Sequence, residues 1–85
     1  MKPVRMYTTP VCPYCVRAKS LLKRKGAEVQ EVDVLMDLTA RREMETKTGG
    51  ARSVPQIFIG DTHVGGCEEL YELEREGKLD PLLAT

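Results

Sequence analysis

The chain has 85 residues, 41% apolar and 31% charged, with 13 basic and 13 acidic side chains and a formal net charge of zero. Domains commonly run to ~100–150 residues, so a single domain over 1–85 is expected, and the balance is too apolar for a disordered chain. Zero net charge excludes the strong basicity of a dedicated nucleic-acid binder, and no stretch approaches the ~20 apolar residues of a membrane-spanning helix.

Pro3 to Tyr7 alternates Val4 and Met6 with more polar neighbours, which predicts a short strand that Thr8-Thr9-Pro10 breaks. Pro13 suits a first helical position, where the missing amide hydrogen would have no helical partner. After it Val16, Ala18, Leu21 and Leu22 recur at helical spacing, Lys23, Arg24 and Lys25 suit the negative end of the helix dipole, and Gly26 is a stop. Glu28 to Val34 alternates as a second strand. Asp37 or Thr39 caps a second helix to about Thr48, closed by Gly49-Gly50. Its apolar face is only Ala40 and Met44, so it should be half exposed. Gln56 to Ile59 is a third strand, and Gly60-Asp61 turns tightly into Thr62-His63-Val64. Gly65-Gly66 leads into a third helix from about Cys67 to Glu76, with Leu70 and Leu73 on its buried side. Gly77 ends it, and Leu79, Leu82 and Leu83 predict a short final helical turn. The order β-α-β-α-β-β-α gives an α/β fold: a parallel pair from the first crossover, an antiparallel hairpin later, and helices on both faces of a four-stranded mixed sheet.

Three cysteines, Cys12, Cys15 and Cys67, argue against a secreted disulfide scaffold. Met1 to Val11 also lacks the apolar run of ~7–15 residues of a secretory signal, so a cytoplasmic protein with no membrane partner is expected. Cys12-Pro13-Tyr14-Cys15 has three readings: half of a zinc site, a redox pair, or coincidence. Zinc would need two further ligands, and the candidates are Cys67 and His63, the sole histidine, with no second paired motif. No metal site is therefore expected. A redox pair would stand between a strand and a helix, as this one does, and that placement points to the thioredoxin-like fold.

Three motifs carry a resemblance: Cys12-Pro13-Tyr14-Cys15, Ser53-Val54-Pro55, and Gly65-Gly66-Cys67-Glu68-Glu69-Leu70. They are similar to the Cys-Pro-Tyr-Cys, Thr-Val-Pro and Gly-Gly-Cys-Asp-Asp-Leu of the glutaredoxins, and the sequence resembles the short dithiol bacterial type over nearly its whole length. One departure is Thr9, where the family often has a lysine three residues before the first active-site cysteine.

The resemblance implies a role for each motif. Disulfide exchange requires a thiolate, and Cys12 precedes a helix whose unpaired amides and dipole favour an anion, so Cys12 is the expected nucleophile. Cys15, one turn inside the helix, is expected to be more buried and to resolve the mixed disulfide; the plainer alternative is a small hydrophobe on the inner face. Pro55 resembles the family's cis-proline, which would set the Val54 backbone beside the cysteines for strand-like bonds to the cysteinyl group of glutathione. A proline opening the next strand would be ordinary too. The amides of Gly66, Cys67 and Glu68 would receive the γ-glutamyl carboxylate, and Glu68 or Glu69 its ammonium, although acids in a first helical turn need no ligand. Tyr14 and Ser53 would line the cleft, and Arg42 or Arg52 would meet the carboxylate that the missing lysine does not. Cys67 is not expected to be catalytic, and His63 should simply be exposed. Residues 1–27 hold seven Lys/Arg and no acid, while 61–85 hold seven acids against Arg75 and Lys78. That asymmetry fits a basic rim drawing glutathione or, in the reading we favour, ion pairing between the first and third helices.

The expected activity is glutathione-dependent thiol–disulfide oxidoreduction by a monomer with no tightly bound cofactor. Glutathione is the co-substrate, glutathionylated or disulfide-containing proteins are the partners, and glutathione reductase with NADPH stands upstream. The alternative is a dimer that binds an iron–sulfur cluster through Cys12 and glutathione, which Pro13 disfavours.

Overall fold

The computed structural model describes residues 1–84. Its elements are β1 (Val4–Thr8), α1 (Pro13–Arg24), β2 (Val29–Asp33), α2 (Leu38–Thr48), β3 (Gln56–Ile59), β4 (Thr62–Gly65), α3 (Cys67–Arg75) and α4 (Leu79–Leu83). The sheet order is β2-β1-β3-β4, with β1 and β2 parallel and the other two pairings antiparallel. This is the thioredoxin-like arrangement anticipated from the order of elements. No helix among the described residues is long and apolar enough to cross a membrane.

Alternation along the strands makes two cores from one sheet. Val4, Met6, Ile57 and Ile59 face α1, α3 and α4, where they meet Ala18, Leu22, Leu70 and Leu79. Tyr7 points the other way, into a smaller cluster with Val34, Ala40 and Met44 under α2. Phe58 joins that side, edge-on to Tyr7 with ring centroids 6.0 Å apart. The thin apolar face of α2 is as the sequence suggests, with Ala40 and Met44 its buried residues. Asp37 is its cap, the carboxylate accepting from the Ala40 amide at 3.1 Å.

Two local expectations need correction, and a third gains a detail. Val16 is 66% exposed. The inward stripe of α1 is Cys15, Ala18, Leu21 and Leu22, and Val16 lies one residue round the helix from it, about 100° away. Leu73 is only half-buried. His63 is exposed but held: its ring stacks on Phe58 at 4.9 Å and its Nε2 lies 2.8 Å from Gln56 Oε1.

Candidate active site at the dithiol

The sheet register brings the three motifs together. β1 ends next to the start of β3, with Tyr7 opposite Gln56, so the Cys12 loop after β1 meets Val54-Pro55 before β3. β4 ends next to the same point, with Gly65 opposite Ile57, so the start of α3 arrives there too. Two segments 38 or more residues beyond the dithiol thus converge on it at one end of the sheet.

Cys12 is the N-cap of α1, in extended backbone, and its Sγ accepts a hydrogen bond from the Cys15 amide at 3.2 Å. That amide belongs to the first helical turn, whose donors lack helical acceptors, so it is free to stabilise a sulfur anion. The Cys12 thiol faces the Val54 carbonyl, with Sγ 3.9 Å from the oxygen. The Val54–Pro55 peptide is cis. Cys12 is partly exposed, whereas Cys15 is buried at 5% exposure, and all three cysteines are free thiols. Burial pushes the Cys15 thiol up to about 12, with the hydrogen bond to Cys12 and the nearby charge of Cys12 adding to the rise. The Thr9 backbone works against it by stabilising the anion. Burial likewise raises the Cys67 thiol. A buried cysteine therefore stands behind a more accessible one.

Beside the dithiol runs a cleft of about 250 Å³ lined by Tyr14, Ser53, Val54, Pro55, Gly66, Cys67, Glu68 and Glu69, with Gln56 at its floor. The residues singled out from the sequence are brought together here, apart from Arg42 and Arg52. Both arginines are exposed, and neither lines the cleft; Arg52 is next to Ser53, and Arg42 lies on α2. Glu69 turns back on its own helix, its Oε1 accepting from the Gly66 amide at 2.6 Å. The following amides, of Cys67 and Glu68, lie in the first turn of α3 and have no helical acceptor. The cleft thus offers an extended edge at Val54 and a helix start whose first amides lack helical acceptors, beside the Cys12 sulfur.

The glutaredoxin family model matches residues 4–64. The chain belongs to the glutaredoxin family. It is 55% identical to the glutaredoxin of Pseudomonas aeruginosa over 85 residues, all of both chains. The solution structure of glutaredoxin from Brucella melitensis is 57% identical and superposes with a TM-score of 0.82, covering 98% of this chain and 89% of that one. The crystal structure of a buckwheat glutaredoxin–glutathione complex is 34% identical with a TM-score of 0.85, covering 96% and 76%. Glutaredoxins are thiol–disulfide oxidoreductases, and glutathione-linked thiol redox chemistry is the function this membership supports.

A second hollow, of about 360 Å³, opens from the same cleft and shares Tyr14, Cys67 and Glu68 with it; Arg17, Tyr71 and Arg75 complete its wall. Sequence reasoning passed over these three. The signal was available in the spacing of Tyr14 with Arg17 on α1, and of Glu68, Tyr71 and Arg75 on α3, which sets each group on one helix face.

Proposed function

We propose that this glutaredoxin reduces glutathione mixed disulfides and protein disulfides with Cys12 as nucleophile and Cys15 as resolving thiol. The observation that carries the reading is the Cys12 sulfur, bonded by the Cys15 amide at 3.2 Å and facing the Val54 carbonyl. The Cys12 thiolate attacks the glutathione sulfur of a mixed disulfide, forming Cys12–S–S–glutathione and expelling the substrate thiolate, which takes up a proton. A second glutathione thiolate then attacks that disulfide, leaving oxidised glutathione and the Cys12 thiolate.

With a protein disulfide, Cys12 bonds to one substrate sulfur and releases the other. Cys15 then attacks Cys12, frees the substrate as a dithiol and closes a Cys12–Cys15 disulfide, which two glutathiones reduce. The causes of the Cys15 shift time this step. In the reduced enzyme, burial and the Cys12 sulfur both hold its proton on. Once Cys12 is a neutral disulfide, its charge and its hydrogen bond to Cys15 are gone, and Cys15 ionises more readily.

The cysteinyl part of glutathione would lie along Val54 beside Pro55 and Ser53, and its γ-glutamyl carboxylate on the Cys67 and Glu68 amides. Glu68 or Glu69 would take the ammonium, and Tyr14 would cover the sulfur. Arg52 or Arg42, both exposed, would approach the glycyl carboxylate from outside the cleft. That a buckwheat relative was crystallised with glutathione supports this use of the cleft. The enzyme works as a cytoplasmic monomer with no tightly bound cofactor, supplied with electrons by NADPH through glutathione reductase.

NADPH-coupled reduction of a glutathione mixed disulfide tests the reading. Cys12→Ser should lose all measurable activity. Cys15→Ser should keep most deglutathionylation but lose protein-disulfide reduction. A parent inactive with glutathione, or a brown protein carrying an iron–sulfur cluster in place of that activity, would overturn it.

A further inference from the structure

The hollow between α1 and α3 is open to solvent at one end and to the thiol cleft at the other. Its wall holds two guanidinium groups, of Arg17 and Arg75, against a single carboxylate, Glu68. Among the described residues, neither arginine has a carboxylate within 4.0 Å, although five other cations, Arg5, Lys19, Lys25, Lys47 and Lys78, are so paired. The ion pairing expected between the first and third helices is thus confined to Lys25, which caps α1 and meets Glu74 of α3 at 2.8 Å.

Arg17 is held rather than free. Its guanidinium lies over the Tyr71 ring, 5.4 Å from the centroid, and the Tyr71 hydroxyl donates to the Arg17 carbonyl at 3.3 Å. Tyr14, 60% exposed, lines both the hollow and the cleft beside the thiols. Two cations with aromatic walls, one of them preorganised, form a site for a carboxylate.

We propose that this hollow is a substrate subsite, and that it selects protein disulfides with an acidic residue two or three positions from the reacting cysteine. The distance fits. Arg17 lies five residues along from Cys12, or about 7 Å of helix rise, and two or three residues of extended substrate span about 7–10 Å. A substrate chain that bonds its cysteine to Cys12 and pairs with Val54 therefore carries its neighbouring side chains past Tyr14 to the two arginines. The inference rests on Cys12 being the nucleophile and adds to it a preference among substrates.

The test uses disulfide-linked homodimers of a short peptide, Gly-Xaa-Gly-Cys-Gly-Xaa-Gly, with Xaa as Glu, Gln or Lys. The enzymes are the parent, Arg17→Gln/Arg75→Gln and Arg75→Glu, with folding checked by thermal melting. The parent should reduce the Glu peptide about 3–10-fold faster in kcat/KM than the Gln peptide, the range that two partly exposed ion pairs supply. The double variant should lose that preference while reducing a glutathione–mercaptoethanol mixed disulfide at the parental rate. Arg75→Glu should shift preference toward the Lys peptide.

A Glu-to-Gln ratio that is equal in parent and double variant overturns the proposal. So does a double variant in which glutathione KM rises and all substrates slow alike, because the arginines would then belong to the glutathione site. Inactivity of the parent toward every substrate would instead be a failure of the nucleophile assignment, which the Cys12→Ser comparison detects separately.

Discussion

Cys15 sits at 5% exposure directly behind Cys12, and its thiol is held up to about 12 by burial first and by Cys12 second. At pH 8 its thiolate fraction is then on the order of one in ten thousand, and alkylation follows thiolate and access together. Cys67 is buried as well, with its thiol also raised by burial. Iodoacetamide at pH 8 should therefore add one group per reduced chain, on Cys12, with Cys15 and Cys67 at least about tenfold slower by mass spectrometry. Because the folded thiol titrates above the free one, Cys15 contributes stability that is fully present below the free-thiol pKa of about 8.5. That contribution is lost as pH rises toward about 12. In urea titrations the stability gap between the parent and Cys15→Ala should accordingly narrow from pH 7.5 to pH 10.5. A gap that widens would mean Cys15 is ionised in the folded state.

At the scale of one element, α3 begins under an internal constraint. The Glu69 carboxylate accepts from the Gly66 amide at 2.6 Å, and a Cβ on Gly65 would lie 2.8 Å from that same oxygen. Gly65 also has φ +113, a region side chains rarely adopt. Gly65→Ala should therefore cost at least about 1 kcal/mol and disturb the helix start. Glu69→Ala should cost about 1 kcal/mol through the lost cap. Glu69→Gln separates the two roles expected of this residue. If Glu69 works by capping, the amide oxygen still accepts from Gly66, and glutathione KM stays near the parental value. If it instead meets the γ-glutamyl ammonium, Gln and Ala should raise KM alike. The motif around Gly66 was legible because turn glycines and first-turn acids are local signals. For Arg17, Tyr71 and Arg75 the spacing shows only that each group shares a helix face; that the two faces meet depends on how α1 and α3 pack on the sheet, which no local period encodes. Val16 was misplaced for a related reason: apolar character alone does not say which residue of Cys15-Val16 turns inward, and here the burial of Cys15 decides it.

For the whole molecule, the central strand ties two unequal cores into one cooperative unit. Val4 and Met6 of β1 belong to the larger cluster, and their neighbour Tyr7 belongs to the smaller one. Because β1 also pairs with both β2 and β3, disruption of the strand pairing opens both cores together. The smaller side nevertheless has fewer buried apolar residues, so α2 is the element that could come away first. Leu22 and Met44 are both 0% exposed and test this from opposite faces. Leu22→Ala and Met44→Ala should each cost about 2–5 kcal/mol, within the range for truncating a buried Leu or Met. For a domain of this size a loss of 1 kcal/mol lowers Tm by about 4–8 °C, so both variants should melt well below the parent. The decisive feature is the shape of the transition. If β1 couples the cores, far-ultraviolet circular dichroism and tyrosine fluorescence should give coincident curves in both variants, as for the parent. If the α2 side is an independent unit, Met44→Ala should unfold in two steps, the first a partial helix loss accompanied by the Tyr7 fluorescence change, while Leu22→Ala stays coincident. Activity then adds a functional reading: Cys12 caps α1, but the Val54 it faces packs against the α2-side cluster, so loss of α2 alone should leave the Cys12 thiol open to alkylation while weakening glutathione-dependent turnover, whereas cooperative unfolding would abolish both in step with structure.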